Sequence, residues 1–461
     1  MATAQAFPTT AEEFYRLRDD RTNLYSGVDG DYHNRTVRVT AQPAALRSLA
    51  GQVMLVVSVN LLARWCRRVM LIVEDQPLHV WLGPADSLLA FALAIMKDAD
   101  PFGDFSLDDV GPHDLHLHIG DACPPTAVPT TVLSARGWYG AVRRPGEPIL
   151  LGEWTNPIGA VAAAILGAAQ VFRDALGRGE LYGREFVFDA FHARPVRDLI
   201  PRPWEEEDTG ADVGRLLMIG AGSVGSAAAY FMGLFRVQGW MRVVDGDITK
   251  VENFSRSPIF GRRLHAWGKA SAVENALSSP MLEVKAEDVW WRESKNRSLA
   301  GYDIVIPVAN EQNIRWELQN AYPPLMVHAS TGRNWNVNFG RHIPGIDDCL
   351  ADRFAGFEEK PVFTCATGKV PVSPKVSVDA SLPFLSFFAG FLIATDLVRL
   401  GIAGYPHTPN YGDYSFRKNR FAPQLHAELP RAECVCHSQA EGFWRFRRDT
   451  RYSALSPLSW I

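Results

Sequence analysis

Apolar runs and small-residue segments alternate in the second half of the chain, and this alternation predicts strands joined by helices. Leu216–Ile219 is an uninterrupted apolar run, typical of a buried strand. Ser226–Leu234 continues with the small residues of a tightly packed helix, and a second strand ends at Val244. A further apolar run, Tyr302–Ile306, predicts another strand. This order of elements is that of an α/β domain with a parallel sheet.

The first half contains a similar but plainer pattern. We predict a strand at Val53–Val57, a short helix that begins in Asn60–Cys66, and a second strand at Val69–Val73. Two acidic residues, Glu74 and Asp75, follow that strand. The half therefore repeats strand, helix, strand and acid, but it lacks glycines between the elements.

Two long helical segments also favour an internal duplication. Asn156–Leu176 and Leu382–Leu400 are both apolar, both rich in small residues, and both entered through a proline. The chain has 461 residues, which is more than one core usually organises, so we expect two domains. The other interpretation, that two generic α/β stretches resemble each other by chance, stays open from these patterns alone.

The boundary between the halves is marked by proline and acidic residues. Ile200–Pro203 is proline-rich, and the acidic run Glu205–Asp208 follows it directly. We therefore predict a first domain over residues 1–203, a linker over 204–210, and a second domain over 211–461.

Three glycines follow the first strand of the second domain. Gly220, Gly222 and Gly225 would let backbone amides at a helix N-terminus approach an anionic ligand. Asp245 closes the next strand, where a carboxylate can bind ribose hydroxyls. By itself this pattern is equally typical of an ordinary dinucleotide-binding fold.

The polar residues that come next favour ATP over NAD. Asp247, Asn253, Arg256 and Lys269 follow Asp245 within a short stretch. A nicotinamide enzyme needs little cationic help beyond a helix dipole, whereas cleavage of a triphosphate leaves negative charge on the departing pyrophosphate. Arg256 and Lys269 would offset that charge, so we predict them as catalytic residues.

Taken as a set, these residues resemble the ubiquitin-activating superfamily, which includes ThiF-like and MoeB-like adenylyltransferases. The resemblance covers residues 215–400 well. It implies an α/β fold of two Rossmann-like, adenylation-type halves, the N-terminal one inactive and the C-terminal one active, that form an internal pseudo-dimer. It also implies ATP and Mg²⁺ as cofactors, with Gly220, Gly222, Gly225, Asp245, Asp247 and Asn253 in the binding site.

The resemblance also implies partners. The substrate would be a ubiquitin-like β-grasp protein, activated at its C-terminal carboxylate, and a conjugating enzyme would receive it. In layout the chain resembles the activating enzymes of bacterial ubiquitin-like conjugation operons linked to antiphage defence. A sulfur-carrier adenylyltransferase of cofactor biosynthesis and a non-catalytic nucleotide-binding scaffold remain as alternatives, and an NAD-dependent dehydrogenase is a poorer one.

One position departs from the pattern of the superfamily. Asn310 stands after the third predicted strand, where the family usually has an aspartate that binds magnesium. An amide oxygen is a poorer ligand for a hard cation than a carboxylate. Either Glu311 or Asp247 then binds the metal, or turnover is slow; an inactive nucleotide-binding relic is the other interpretation.

The six cysteines divide into three groups. Cys365 lies four residues before a lysine, in a segment of about residues 345–380 where the superfamily places its thioester cysteine, so we predict it as the nucleophile, with a buried and inert thiol as the alternative. Cys349, Cys434 and Cys436, with His437, form an incomplete zinc pattern, and a degenerate site without metal is the alternative. Cys66 and Cys123 are expected to be packing residues.

Composition excludes several classes of function. The net charge of −4 argues against bulk affinity for nucleic acid, and we expect no apolar run to reach the roughly 18 residues that span a bilayer. The N-terminus shows no export signal, so we expect a cytoplasmic protein with reduced thiols.

Two further segments have a local pattern. His113–His118 alternates histidine with leucine and predicts a half-exposed strand rather than a metal site. The basic and aromatic C-terminal tail predicts an exposed face or a docking surface.

Overall fold

A computed structural model gives the fold of the chain. It describes residues 6–26, 30–79, 85–109, 111–123, 126–146, 156–179, 182, 185–197, 199, 210–309, 314–319, 321, 323–343, 347–348, 369–373, 376–379, 381–400, 402 and 408–425. The predicted linker over residues 204–210 falls outside these residues except for Gly210, and so the domain boundary stays a prediction.

The first half contains an eight-stranded sheet with order β3-β2-β1-β4-β5-β6-β7-β8. Its strands are β1 (Thr36–Ala41), β2 (Arg68–Ile72), β3 (Asp104–Ser106), β4 (Leu115–Ile119), β5 (Thr130–Arg136), β6 (Tyr139–Arg143), β7 (Glu185–Asp189) and β8 (Arg194–Val196). Its helices are α1 (Ala11–Ser26), α2 (Pro43–Leu46), α3 (Leu49–Ala63), α4 (Leu88–Ala99) and α5 (Ile158–Ala175).

The second half contains an eight-stranded sheet with order β11-β10-β9-β12-β13-β14-β17-β18. Its strands are β9 (Asp212–Ile219), β10 (Gln238–Val244), β11 (Leu282–Glu287), β12 (Ile304–Pro307), β13 (Met326–Gly332), β14 (Asn336–His342), β17 (Tyr411–Ser415) and β18 (Arg420–Gln424), and β15 (Lys369–Ser373) pairs with β16 (Val376–Asp379) in a separate hairpin. Its helices are α6 (Ser223–Leu234), α7 (Val251–Phe254), α8 (Lys269–Leu277), α9 (Ile314–Gln319) and α10 (Pro383–Arg399). Short 3₁₀ turns occur at Gly30–Asn34, Arg262–Leu264, Trp291–Glu293 and Arg333–Trp335.

The two sheets have the same topology. In each, the first five strands in the sheet order are parallel and the last three pairings are antiparallel. The second sheet differs by the β15–β16 hairpin, which is inserted between β14 and α10. The predicted fold class, α/β with two Rossmann-like halves, is confirmed.

One continuous hydrophobic core joins the halves. Helices α5 and α10 occupy equivalent places in the two halves and pack on each other, with the rings of Phe172 and Phe384 5.5 Å apart. Asp396 interrupts the apolar face of α10, and Arg399 binds it at 2.6 Å. This buried ion pair satisfies the charge that the sequence places inside the core.

The strand predicted at Val53–Val57 is wrong, because these residues lie in helix α3. Fourteen of the fifteen residues of α3 are buried. A helix that is apolar on every side has no amphipathic period, and a run of valines then looks like a buried strand. The first strand of this half is β1, which lies earlier in the chain.

The strand predicted as half-exposed at His113–His118 is buried. It corresponds to β4, in which His116 and His118 are 3% and 5% exposed.

Helix α5 corrects the expectation that no apolar run reaches the length of a bilayer span. Its 18 residues satisfy the length and hydropathy of a membrane span, but 89% of that window is buried inside the protein. The helix lies between the first sheet, α3 and α10, which is the position of a core helix.

Candidate functional site

The glycine loop follows β9 and opens helix α6. Gly220 has a φ of +102°, and a Cβ added there would lie 2.4 Å from the backbone nitrogen of Ala309. A Cβ at Gly225 would lie 2.0 Å from the carbonyl oxygen of Gly220. A Cβ at Gly222 would meet no described atom within 4 Å. The first and third glycines therefore allow close packing, and the second borders open space.

That open space lies at the N-terminus of α6. Gly222 is the N-cap residue, and no side chain in the described part of the chain caps the helix. The first amides of a helix have no partner within it and carry partial positive charge. The arrangement fits a phosphate group of a nucleotide.

Asp245 holds the glycine loop in place. Its Oδ2 accepts a 2.7 Å hydrogen bond from the backbone of Ala221, and its Oδ1 accepts one of 2.9 Å from the backbone of Asp247. Burial raises the pKa of the Asp245 carboxyl above its ordinary value. The carboxylate thus links the loops after β9 and β10, a bracing role that the sequence did not predict; its predicted contact with ribose stays a prediction.

Lys269 lies beside the same loop. Its Nζ donates to Asp247 Oδ2 at 2.6 Å, and its backbone nitrogen donates to the Asp247 carbonyl at 2.9 Å. The Lys269 side chain is 9% exposed and that of Asp247 34%. Burial alone would raise the pKa of Asp247, but the Lys269 ammonium outweighs it and holds the pKa below its ordinary value. The structure therefore places an oriented cation next to the helix N-terminus.

Helix α7 contains Asn253, and Arg256 lies directly after the C-cap of this helix. Asn253 Oδ1 accepts a 2.9 Å hydrogen bond from the backbone of Lys250, which caps the helix. Arg256 is buried, and its Nη1 donates to the Glu252 carbonyl at 2.8 Å. Lys250 Nζ also lies 4.0 Å from Asp247 Oδ1. Sequence reasoning missed Lys250, although it stands three residues after Asp247.

Arg64 of the first half fixes the backbone on which Arg256 stands. Its guanidinium donates to the carbonyls of Phe254 at 2.9 Å and Pro258 at 2.8 Å, and also to that of Phe260. Arg64 is 2% exposed, and burial lowers its pKa to about 10, so it remains charged at neutral pH. The first half thus orders the loop that follows α7. Sequence reasoning missed this contact, because nothing in the local pattern signals it.

The equivalent place in the first half is closed. Ser48 caps α3 by accepting a hydrogen bond from the Gly51 backbone at 3.1 Å, and a Cβ at Gly51 would lie 1.9 Å from the Ala45 carbonyl oxygen. The Gln52 side chain donates to the carbonyls of Leu46 and Pro77. The N-terminus of α3 is therefore covered by its own residues, unlike that of α6; the predicted inactivity of the first half stays a prediction.

Exposed tryptophans flank the site. Trp290 is 45% exposed, and a Cβ at Gly246, between the two aspartates, would lie 2.6 Å from its backbone nitrogen. Trp267 is 44% exposed and precedes the Gly268-Lys269 pair. Sequence reasoning did not single out either residue.

The described residues fit a phosphate group of ATP, but they do not by themselves form the predicted metal sites. Among the described residues, Asp247 is the carboxylate left for magnesium, since Asp245 is occupied by backbone amides, and Asp247 is already paired with Lys269. These residues alone do not make a magnesium site, and no group of three His, Cys, Asp or Glu side chains suited to a metal occurs in the part of the chain that the structure describes. Asn310 and Glu311 lie outside that part, as do Cys365 and the predicted zinc ligands Cys349, Cys434 and Cys436.

The two described cysteines fit packing roles. Cys66 is fully buried, and burial raises the pKa of its thiol to about 12. Cys123 is partly buried, and burial raises its pKa as well. Neither has the lowered pKa of a nucleophilic cysteine.

Residues 36–188 match the family model of the BilD N-terminal domain. The match ends before the glycine loop, so it concerns the first half alone. A protein of Sinorhizobium fredii, described as uncharacterized protein y4jF, is 28% identical over 240 residues, which are 50% of this chain and 44% of that protein. The chain therefore spans less than half of the length of this relative.

Two solved structures are similar at a lower level. A crystal structure of selenomethionine PaaA has a TM-score of 0.35 and 14% identity, over 47% of this chain and 65% of that one. A crystal structure of E. coli MccB with selenomethionine MccA has a TM-score of 0.35 and 15% identity, over 49% of this chain and 66% of that one. Both matches cover slightly less than two thirds of the other chain, and at this TM-score they carry no argument about fold or function.

Proposed function

We propose that the protein is an adenylating enzyme that uses ATP to activate the C-terminal carboxylate of a ubiquitin-like β-grasp protein. The observation that carries the proposal is the position of the Asp247–Lys269 ion pair beside an uncapped helix N-terminus that the glycine loop leaves open. A dinucleotide reductase does not need a buried ammonium at this place. An adenylating enzyme does, because negative charge develops on the departing pyrophosphate.

The first step transfers the adenylyl group. A carboxylate oxygen of the partner attacks the α-phosphorus of ATP, the bond to the pyrophosphate oxygen breaks, and an acyl adenylate and pyrophosphate form. The amides at the start of α6 bind phosphate oxygens, and Lys269 and Arg256 offset the charge that develops on the leaving group. Asp247 orients Lys269. Magnesium would add further charge compensation when bound, with Glu311 or Asp247 as its predicted ligand.

The second step uses Cys365. Its thiolate attacks the acyl carbon, the bond to AMP breaks, and the partner becomes linked as a thioester that a conjugating enzyme can receive by thiol exchange. This step rests on the resemblance of the sequence. The match of the first half to the BilD N-terminal domain supports a place in the bacterial ubiquitin-like conjugation branch.

An arginine of the first half also belongs to the proposal. Helix α1 packs on α7, and Arg21 Nη2 lies 3.5 Å from Glu252 Oε1, one residue before Asn253. Arg35 is also in the first half, but it is 48% exposed and pairs with Asp114 of the same half. The contacts support Arg21 as the residue that reaches the phosphates.

Exchange of labelled pyrophosphate into ATP tests the first step. The full-length protein, given its candidate β-grasp partner, should catalyse the exchange, and Lys269→Met should lower the rate by about 10²–10³, the usual loss of one charge-stabilising group. Lys285→Met is the matched control, because Lys285 is 57% exposed on β11 and should leave the rate unchanged. Absence of exchange with the wild-type protein and its cognate partner would contradict the proposal.

A gel tests the second step. ATP and the partner should give an adduct that a reductant cleaves and that Cys365→Ala abolishes. Exchange without an adduct would instead indicate a sulfur-carrier adenylyltransferase. Nucleotide binding with neither exchange nor adduct would indicate a scaffold.

A further inference from the structure

Two arginines from different halves meet at the turn between β13 and β14. The guanidinium carbon of Arg178, which follows α5, lies 5.1 Å from the centre of the Trp335 ring, and its Nη2 donates to the Ser26 carbonyl at 2.9 Å. Arg417, in the turn between β17 and β18, has its Nη1 3.4 Å from Asn334 Oδ1. Asn334 and Trp335 both have a φ of +61°, which is rare for a bulky residue such as tryptophan. The backbone is therefore strained at the two residues that contact the arginines.

These arginines belong to a larger cationic surface. Its five members come from the end of α5 and from the hairpin of β17 and β18: Arg173, Arg178, Arg417, Lys418 and Arg420. None of them forms an ion pair with a carboxylate of the described residues, and Asp174, next to Arg173, is bound by Arg144 at 2.8 Å. Burial lowers the pKa of Arg173 and of Arg178, and repulsion adds to this effect, because Arg178 lies near both Arg173 and Arg417. Like charges therefore accumulate here without a counterion.

The duplicated fold contains an equivalent place that has its counterions. There, Arg399 at the end of α10 binds Asp396 at 2.6 Å, and Arg194 at the start of β8 lies opposite Asp189 of β7. The turn between β5 and β6 takes its positive φ, +54°, at Gly137, where such a conformation causes no strain. The fold itself therefore requires neither unpaired cations nor a strained turn at this position.

Both acids are replaced in the cationic surface. When the prolines that open α5 and α10 are aligned, Gln170 corresponds to the aspartate of α10, and Arg173 corresponds to its arginine partner. Across the last two strands, Arg420 lies opposite Ser415 and not opposite an aspartate. The second copy of this place thus keeps the cations, loses the acids and gains further positive charge on the hairpin turn.

The arrangement of the cations indicates the kind of ligand. Arg417, Lys418 and Arg420 are exposed and follow one another along the hairpin, whereas Arg173 and Arg178 are partly buried beside it. An extended segment with several carboxylates fits such a surface better than one small anion does. Nucleic acid fits less well, because the protein has a net charge of −4 and the aromatic ring at the surface, that of Trp335, is only 3% exposed and cannot stack on a base.

We propose that the cationic surface binds an acidic segment of another protein. Carboxylates of the segment accept hydrogen bonds from the guanidinium groups, and they supply the counterions that aspartates supply in the equivalent place. The surface contains no residue of the glycine loop, and the proposal does not depend on the proposed function.

Fluorescence anisotropy of a labelled peptide of alternating glutamate and serine, titrated with the full-length protein, tests the proposal. At about 50 mM salt the peptide should bind with saturation, and about 0.5 M salt should weaken binding at least about tenfold by screening the charges. The same peptide with glutamine in place of glutamate should bind at least about tenfold more weakly. An oligothymidylate of the same length should also bind more weakly than the acidic peptide.

Variants locate the binding on the cationic surface. Arg417→Gln combined with Lys418→Gln removes two exposed charges, so the protein should fold normally and bind the acidic peptide at least about tenfold more weakly. Arg262→Gln combined with Arg263→Gln is the matched control, since these arginines are also adjacent and exposed in the second half, and it should keep the affinity. Ser415→Asp restores an acid of the equivalent place and should also weaken binding.

Four outcomes would overturn the proposal. Three of them are the lack of saturable binding of the acidic peptide, equal binding of the glutamine peptide, and an equal loss of affinity in the control variant. The fourth is tighter binding of the oligothymidylate, which would identify a surface for nucleic acid instead.

Discussion

Arg64 donates a 2.9 Å hydrogen bond to the backbone carbonyl of Phe254, across the boundary between the two halves and 190 positions along the chain. With the carbonyls of Pro258 and Phe260, this contact fixes the backbone on both sides of Arg256. The first half therefore contributes to the order of the loop that carries Arg256 in the second half.

Replacement of Arg64 by methionine should destabilise the protein and impair catalysis together. The variant keeps most of the side-chain volume but leaves three buried carbonyls without their donor, and each unsatisfied group costs about 1–3 kcal/mol. We expect a loss of at least about 3 kcal/mol in the free energy of unfolding. Urea denaturation measures the loss, and pyrophosphate exchange measures the activity.

Arg47→Met is the control for that experiment, because Arg47 is an exposed arginine just ahead of α3. It should leave both quantities unchanged. A fully active, fully stable Arg64→Met protein would show that the second half orders the Arg256 loop alone.

Two glycines of the same loop should respond differently to alanine. Gly225→Ala places a methyl group 2.0 Å from the Gly220 carbonyl oxygen, so the variant should lose about 1–3 kcal/mol of stability. Gly222 has a φ of −67° and borders open space, so Gly222→Ala should fold normally but bind ATP more weakly. Thermal unfolding and ATP titration of the two variants separate the effects. Weaker ATP binding without a change in stability for Gly225→Ala would contradict this division.

The second half was predicted well because its signals are local. The glycines, the apolar run before them and the acid after the next strand each impose a backbone requirement that can be recognised in a few residues. The ion pair between Lys269 and Asp247 was not predicted. Helix α3 was misread since burial on all sides removes its periodicity. The duplicated topology shows the correct correspondence, in which α3 matches α6.

Contacts between distant segments could not be predicted. The hydrogen bond from Arg64 to the carbonyl of Pro258 depends on how the two halves pack. The placement of His118, Val132 and Arg143 side by side depends on the order of strands in the first sheet. Asn253 shows a different limit. Its identity fits a nucleotide site, yet its Oδ1 caps α7, a role that a motif does not distinguish from ligand binding.

Acid should destabilise the first half through His116. Burial lowers the pKa of His116 to about 4 from about 6.5 in an unfolded chain, so the unfolded state binds a proton first as the pH falls. The stabilising contribution is complete above pH 6.5 and is lost as the pH falls towards 4. The whole window corresponds to about 3 kcal/mol.

Urea denaturation from pH 7 to pH 4.5 measures this slope, and His116→Gln should reduce it. Part of the slope should remain, because burial also lowers the pKa of His33 to about 4. His79→Gln, at an exposed position of the same half, is the control and should retain the slope. An unchanged slope in His116→Gln would show that another group titrates.

Cys66 should be inert to alkylation in the native protein. Its Sγ lies 3.1 Å from the carbonyl oxygen of Arg68 and 3.3 Å from that of Arg35, and burial raises the pKa of the thiol from 9.0 to about 12. Because the thiolate is the reactive form, its population at pH 8 is about a thousandfold lower than that of a free cysteine. Iodoacetamide at pH 8, followed by peptide mass spectrometry, should find Cys66 unmodified until the protein is unfolded. Rapid native labelling of Cys66 would contradict its burial, and it would also weaken the assignment of a reductant-sensitive adduct to Cys365, since a second accessible thiol could then accept the acyl group.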